Sequence, residues 1–260
     1  MYPSLTNKRA VVLGGSRGIG RAIALRLAAE HVHVIVNYAR SSEAAEATAA
    51  ECREMGVEAE AMRADVGDAD ELSALFKAVN DWGGIDILIN NAARGLERPR
   101  PAIEQRPKHL HQTMDVNLFG PWNAVQDVVP MMEARGGGVV VNLLSPGAWN
   151  YMPDYSAVGV TKAALASLNT YLAVELAPRN IRVNGVSAGW VEGSDGDHSY
   201  RADISNKVRP HVPAGRNVSP EDVAATVAWL CSDEASMLIG ETVHLDGGFG
   251  ISAWRAVLGT

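Results

Sequence analysis

Short apolar runs alternate with longer amphipathic stretches along nearly the whole chain. Arg9 to Leu13, Val32 to Val36, Val57 to Arg63, Ile85 to Ile89, Val139 to Leu143, Ile181 to Val186 and Thr242 to Leu245 read as strands. Arg21 to Glu30, Ser41 to Met55 and the stretches near 70–80, 107–133, 155–177 and 220–231 read as helices. Strands that are apolar on both faces and alternate with helices predict an α/β fold: a doubly wound parallel sheet with helices on both faces. No repeat, low-complexity run or linker divides the chain, so residues 1–260 are expected to form one domain. The rhythm breaks at 192–212, which is polar and carries Gly193 and Gly196. Loops at the carboxyl ends of parallel strands border the ligand crevice. This segment is therefore expected to be a mobile lid; an ordinary surface loop is the alternative.

Composition narrows the function classes. Of 260 residues, 47% are apolar and 20% charged, which predicts a large core rather than disorder. A net charge of −7 argues against a nucleic-acid binder but leaves room for a local basic pocket around a small anion. Cys52 and Cys231 fit no metal or redox spacing. His109 and His111 are two apart, which separates them on a helix, so no metal site is expected. The first residues run straight into a strand without a basic and then apolar leader, and no apolar run approaches the roughly 18 residues of a membrane span. A cytoplasmic location follows as an expectation.

Leu13-Gly14-Gly15-Ser16-Arg17-Gly18-Ile19-Gly20 lies between the first strand and the first helix. Glycines at 14, 18 and 20 permit a tight turn and close approach of backbone to a pyrophosphate, which the helix N-terminus then attracts. A packing turn is the alternative. NAD binding wants an acidic residue at the end of the second strand, to hold the ribose 2′-hydroxyl. Asn37-Tyr38-Ala39-Arg40-Ser41 offers no carboxylate there. Arg17 and Arg40 suit a 2′-phosphate instead, which favours NADP(H) over NAD(H); two solvated arginines are the bland reading.

These pieces, with Asp65-Val66, Asn90-Asn91-Ala92-Ala93, Asn117, Ser145, Lys162 and Gly189 in their order and spacing, resemble the short-chain dehydrogenase/reductase family over essentially the whole length. The resemblance implies a Rossmann-type fold. It places Asp65 and Val66 beside the adenine, Asn91, Ala92 and Ala93 along the cofactor, and Gly189 to Val191 facing the nicotinamide. Lys162 would hold the nicotinamide ribose and Asn117 would anchor a water linked to that lysine. A homotetramer or homodimer is also implied, with the apolar tail Phe249 to Leu258 as a candidate contact. The chain departs from the family pattern at Leu13, Ala188, Gly193 and, above all, Val158.

Val158 stands four residues before Lys162, where most of the family carries its catalytic tyrosine; the nearest tyrosine here is Tyr155, seven residues before the lysine. This Y-x6-K spacing resembles the enoyl-acyl-carrier-protein reductase III type. So do Asn37 to Ser41, Tyr171 to Leu176 and Pro213 to Arg216. A helix turns about 100° per residue, so a seven-residue step returns to within roughly 20° of the same face and shifts the phenol about 4.5 Å toward the helix N-terminus. In reduction of an enoyl thioester, hydride arrives at the β-carbon, two bonds further from the oxygen than in carbonyl reduction. The donor to that oxygen must shift too, and Tyr155 is in place to meet it, with Ser145 available to the same oxygen.

The expected function is therefore NADPH-dependent reduction of a conjugated C=C bond in a small-molecule or carrier-protein-bound substrate, with Tyr155, Lys162, Ser145 and Asn117 as the catalytic set. Reduction of a C=O or C=N bond is the alternative, and a non-catalytic NADP-binding protein the second alternative. Trp149, Tyr151, Met152 and Trp190 are candidates to enclose substrate, or else core packing. Arg201, Lys207 and Arg209 are candidates to meet an acidic carrier, or else solvated charges.

Overall fold

The computed structural model describes residues 1–95, 100–193 and 199–252, and of 199–202 only the helical backbone. Seven parallel strands form one sheet in the order β3-β2-β1-β4-β5-β6-β7. β1 (Arg9–Leu13) and β7 (Thr242–Leu245) coincide with their apolar runs. β2 (His33–Tyr38), β3 (Ala59–Arg63), β4 (Ile87–Asn90), β5 (Gly138–Leu144) and β6 (Ile181–Ala188) begin and end within two residues of theirs. Alternation along β2 explains why continuous runs are needed: Val34 and Val36 pack into one core layer and Ile35 into the other. α1 (Gly18–Ala29), α2 (Ser42–Glu54) and α8 (Pro220–Cys231) cover the first face. α3 (Ala69–Asp81), α5 (Gly120–Ala134) and α6 (Ser156–Leu176) cover the second. Strand order reverses between β1 and β4, so the crevice opens at the carboxyl ends of those strands.

Three features differ from the sequence pattern. The helical stretch at 107–133 is α4 (Pro107–Met114), a π-helical turn Asp115–Phe119 and then α5. The extra residue in that turn accompanies fully buried Asn117, whose side chain reaches outside the helix, as described below. The polar segment 192–212 contains a helix, α7 (Ser199–Val208). Its residues form no apolar stripe, so periodicity gave no signal. Glu192 Oε1 ties this helix down, accepting from Ser205 Oγ at 3.3 Å, Arg209 at 3.1 Å and Asn217 Nδ2 at 3.0 Å. Finally, residues Ser156–Arg179 are long and apolar enough on average to cross a membrane, although no continuous apolar run marks them. Half of that window is buried inside the protein, where Leu165, Leu168 and Leu172 join the second core layer, as befits a core helix.

A chain of buried amides crosses the sheet and reaches α6. Asn90 Nδ2 donates to Asn142 Oδ1 at 2.8 Å, Asn142 Nδ2 to Asn169 Oδ1 at 3.0 Å, and Asn169 Nδ2 to Gly240 O at 3.3 Å. Removing the middle amide strands a donor and an acceptor in the interior. Asn142→Ala is expected to cost roughly 2–6 kcal/mol, from about 1–3 for each orphaned group, in urea unfolding. A loss below about 0.5 kcal/mol would show that the relay contributes nothing beyond a surface substitution.

Candidate active site

The glycine loop is knotted to its neighbours by two asparagines. Asn37 Oδ1 accepts from Gly14 N at 3.2 Å while its Nδ2 donates to Ala64 O at 3.1 Å and Met62 O at 3.3 Å. Asn37, expected on the cofactor, thus spends its amide inside the protein and acts on the loop. Asn91 Nδ2 donates to Gly14 O at 2.9 Å and Leu13 O at 3.2 Å. Gly14 and Gly18 hold left-handed φ values of 71° and 53°. A Cβ at Gly20 would overlap Gly14 O and crowd the Asn91 side chain. Arg17, the N-cap of α1, is extended and no side chain caps the first turn, which leaves its N–H groups for an anion. Ser16 is buried, Ile19 packs on the core, and Ala92 lies against Gly14.

The rest of the crevice fits a dinucleotide. Tyr38 is half-buried and Arg40 exposed at the end of β2, with Ser41 opening α2 as its N-cap; no carboxylate stands in 37–41. Asp65 Oδ1 accepts from Gly67 N at 3.0 Å, and buried Val66 packs where a Cβ on Gly120 would lie. Gly189 N donates to Leu245 O at 2.8 Å, and Val191 bridges to Val218. Half-buried Trp190 offers its carbonyl to Val218 N at 3.1 Å. Turn geometry and helix terminus therefore suit a pyrophosphate, and no carboxylate stands at the end of β2.

β5 and α6 bring the predicted catalytic residues together. Lys162 is buried and its Nζ donates to Leu143 O, near the end of β5, at 2.6 Å. Burial pushes its ammonium down to about 8. Ser145 follows β5 and caps a short 3-10 turn, Pro146–Ala148. Tyr155 is the N-cap of α6, and its hydroxyl donates to Ser145 Oγ at 3.0 Å. The displaced phenol thus reaches the serine.

Val158 is taken up by packing: it is buried, with a methyl 2.9 Å from where a Cβ on Gly95 would lie, beside Thr113. Asn117 Oδ1 accepts from Arg94 N at 2.8 Å, and its Nδ2 donates to Arg94 O at 3.0 Å and Thr161 Oγ1 at 3.1 Å. Its side chain therefore joins three chain segments, meeting α6 at Thr161, the neighbour of Lys162.

The aromatic candidates do not converge. Met152 Sδ lies 3.4 Å from the Cβ position of Gly147, beside the Tyr155 ring. Trp149 instead stacks edge-on against His244 at 4.9 Å and lines a hollow of about 520 Å³ between α6 and β7. Tyr151 is 88% exposed. In 192–212, Arg209 pairs with Glu192, while the side chain of Arg201 and residues 253–258 of the expected tail contact lie outside the described residues. Sequence reading missed Arg94, Gly95 and Thr161. Thr161 adjoins Lys162 in the motif, but its bond to Asn117 spans 44 residues and leaves no local signal.

A family model described as enoyl-(acyl carrier protein) reductase matches residues 14–250. The chain is 38% identical over 249 residues to the 3-oxoacyl-[acyl-carrier-protein] reductase FabG of Staphylococcus aureus, covering 93% of this chain and 97% of that one. It is 36% identical over 255 residues to 3beta-hydroxysteroid dehydrogenase 1 of Eggerthella lenta, covering 95% of each. Among solved structures, a 7 alpha-hydroxysteroid dehydrogenase complexed with NADH and 7-oxo glycochenodeoxycholic acid superposes with a TM-score of 0.87 at 31% identity, covering 95% of this chain and 96% of that one.

The Lys162 titration has a sign that stability measurements can check. A lysine whose folded pKa, about 8, lies below its ordinary value of 10.5 costs stability while charged. That cost is fully present below about pH 8 and is relieved as pH rises toward 10.5. The unfolding free energy of the native chain, relative to Lys162→Met, is expected to rise between about pH 8 and 10 in urea titrations. A flat or falling difference would contradict the buried cation.

Proposed function

The chain belongs to the short-chain dehydrogenase/reductase family of oxidoreductases, and we propose that it is an NADPH-dependent reductase of a conjugated C=C bond, most simply an enoyl thioester. The observation that carries this reading is the 3.0 Å hydrogen bond from the Tyr155 hydroxyl to Ser145 Oγ. It supports a working phenol at Tyr155, one helical turn before the position that Val158 fills.

A bound nicotinamide cofactor supplies a hydride. Gly14, Ser16, Gly18, Ile19 and Gly20 would hold its pyrophosphate; Asn91, Ala92, Ala93 and Gly189 to Val191 would flank it; and Asp65 and Val66 would take the adenine. Arg17 and Arg40 would meet the 2′-phosphate. When the β-carbon gains the hydride pair, the π electrons of the C=C bond move toward the thioester oxygen. Tyr155 and Ser145 donate hydrogen bonds to that oxygen as its charge develops, and a proton taken from solvent at the α-carbon completes the saturated product. Lys162, cationic below about pH 8, would orient the ribose and bring positive charge to the site. Asn117 holds Arg94 and Thr161 in register beside it.

Carbonyl reduction is the second reading. The matched relatives named for 3-oxoacyl and hydroxysteroid substrates favour it. What separates the two is the distance between the donor and the carbon that receives hydride. The starting Cα of the phenol lies about 4.5 Å further along the helix than a Y-x3-K tyrosine would, and that suits the longer reach to a β-carbon. The same reading includes a cytoplasmic location and a homodimer or homotetramer. Large exposed apolar residues on α5 and α6, Trp122, Tyr171 and Val174, support the assembly.

NADPH oxidation measured in parallel with crotonyl thioester, acetoacetyl thioester and a cyclic imine is expected to be fastest with the first. Turnover confined to either of the others would sink conjugate reduction. Tyr155→Phe is expected to lose at least about 10²-fold in turnover; unchanged activity would remove Tyr155 from the mechanism. Arg40→Ala is expected to weaken NADPH binding far more than NADH binding in fluorescence titrations, and equal effects would refute its contact with the 2′-phosphate.

A further inference from the structure

Gly147 lies in the short turn after Ser145, and Gly159 lies on α6, one helical turn after Tyr155. A Cβ on Gly147 would stand 2.5 Å from Tyr155 Cδ1 and 2.6 Å from Cε1. The phenol ring therefore lies directly on the Gly147 backbone. A Cβ on Gly159 would stand 2.7 Å from Gly147 O and 3.7 Å from Tyr155 Cδ1. The turn that carries Ser145 thus rests on the helix at the position of Gly159. Neither glycine is required by its own backbone. Gly147 has no left-handed φ, and Gly159 sits inside a regular helix, where alanine is the better helix former. What each excludes is a methyl group between ring, turn and helix.

We propose that Gly147 and Gly159 are positioning residues that form a seat for the displaced Tyr155. Gly159 lets the Ser145 turn close on α6, and Gly147 lets the ring lie flat, so the hydroxyl arrives at Ser145 Oγ. The bond from Gly147 N to Ser145 Oγ, at 3.4 Å, ties the same turn to the same oxygen. This inference rests on the reading of Tyr155 as the working phenol.

The test is a double-mutant cycle of Gly147→Ala with Tyr155→Phe, read as kcat, KM for crotonyl thioester, Kd for NADPH and Tm. The expected result is at least a tenfold loss of kcat in Gly147→Ala, with Kd for NADPH within twofold of the native value and no further loss when the change is added to Tyr155→Phe. Gly159→Ala should show the same loss of kcat, with Kd for NADPH again within twofold of the native value, because its Cβ would displace the Gly147 carbonyl while helix propensity offsets part of the cost. That variant decides the matter if Gly147→Ala fails to fold. Native kcat in both alanine variants overturns the seat, as does an equal loss in the native and Tyr155→Phe backgrounds. A loss of kcat that only follows falling Tm and NADPH binding in both variants also overturns it. If Tyr155→Phe alone keeps full activity, the catalytic reading of Tyr155 fails first. If Tyr155→Phe is inactive and the alanine variants are not, the seat alone fails.

Discussion

The buried ammonium of Lys162, bonded to Leu143 O near the carboxyl end of β5, fixes where α6 lies on the sheet. A cation taken from water needs a strong compensating partner, and a strand-end carbonyl supplies it here. The helix cannot slide along its axis without breaking that bond. Its N-terminus is therefore placed over the turn that follows β5, and Tyr155, as N-cap, stands opposite Ser145. Next to the lysine on α6, Thr161 receives Asn117, which holds the backbone of Arg94. The site is thus assembled from one helix register, with β4, β5 and the π-helical turn after α4 all referred to it.

The seven-residue spacing looks like damage only when the motif is read as a string. In three dimensions, positions 155 and 158 both face broadly toward the lysine, and they differ in height along the helix. Val158 then serves a different purpose, closing the apolar wall with Thr113 beside Gly95. The Ser145 turn lies close on α6, and two glycines make that approach sterically possible. Phenol, serine and turn lie in mutual contact. That coherence favours a relocated function over a lost one, since a dispensable tyrosine would have no need of a serine partner or a side-chain-free surface beneath its ring.

Much of the fold was legible because parallel strands buried on both faces leave continuous apolar runs, as β1 and β7 show residue for residue. The glycine loop was legible because steric demand at Gly14, Gly18 and Gly20 is local in sequence. The contents of 192–212 were not: α7 is held by Glu192, Asn217 and Arg209, contacts invisible to periodicity. Asn37 and Asn117 were noticed for the right neighbourhood. Their amides turn out to hold protein segments together, because a hydrogen bond across the fold has no signature in a linear motif. Trp149 stood as a candidate either to enclose substrate or to pack in the core. The reversal of the chain at Pro146–Ala148 instead sends it toward His244.

The central claim is that this placement of the phenol directs hydride to the β-carbon of a conjugated system. The most direct measurement is the position of the label after reduction of one enone by deuterated NADPH, read by NMR of the product. Such a substrate offers both an alkene carbon and a carbonyl carbon to the same site. Deuterium on the β-carbon of a saturated ketone is the expected result. Deuterium on the carbinol carbon of an unsaturated alcohol would contradict it and would assign Tyr155 to carbonyl reduction.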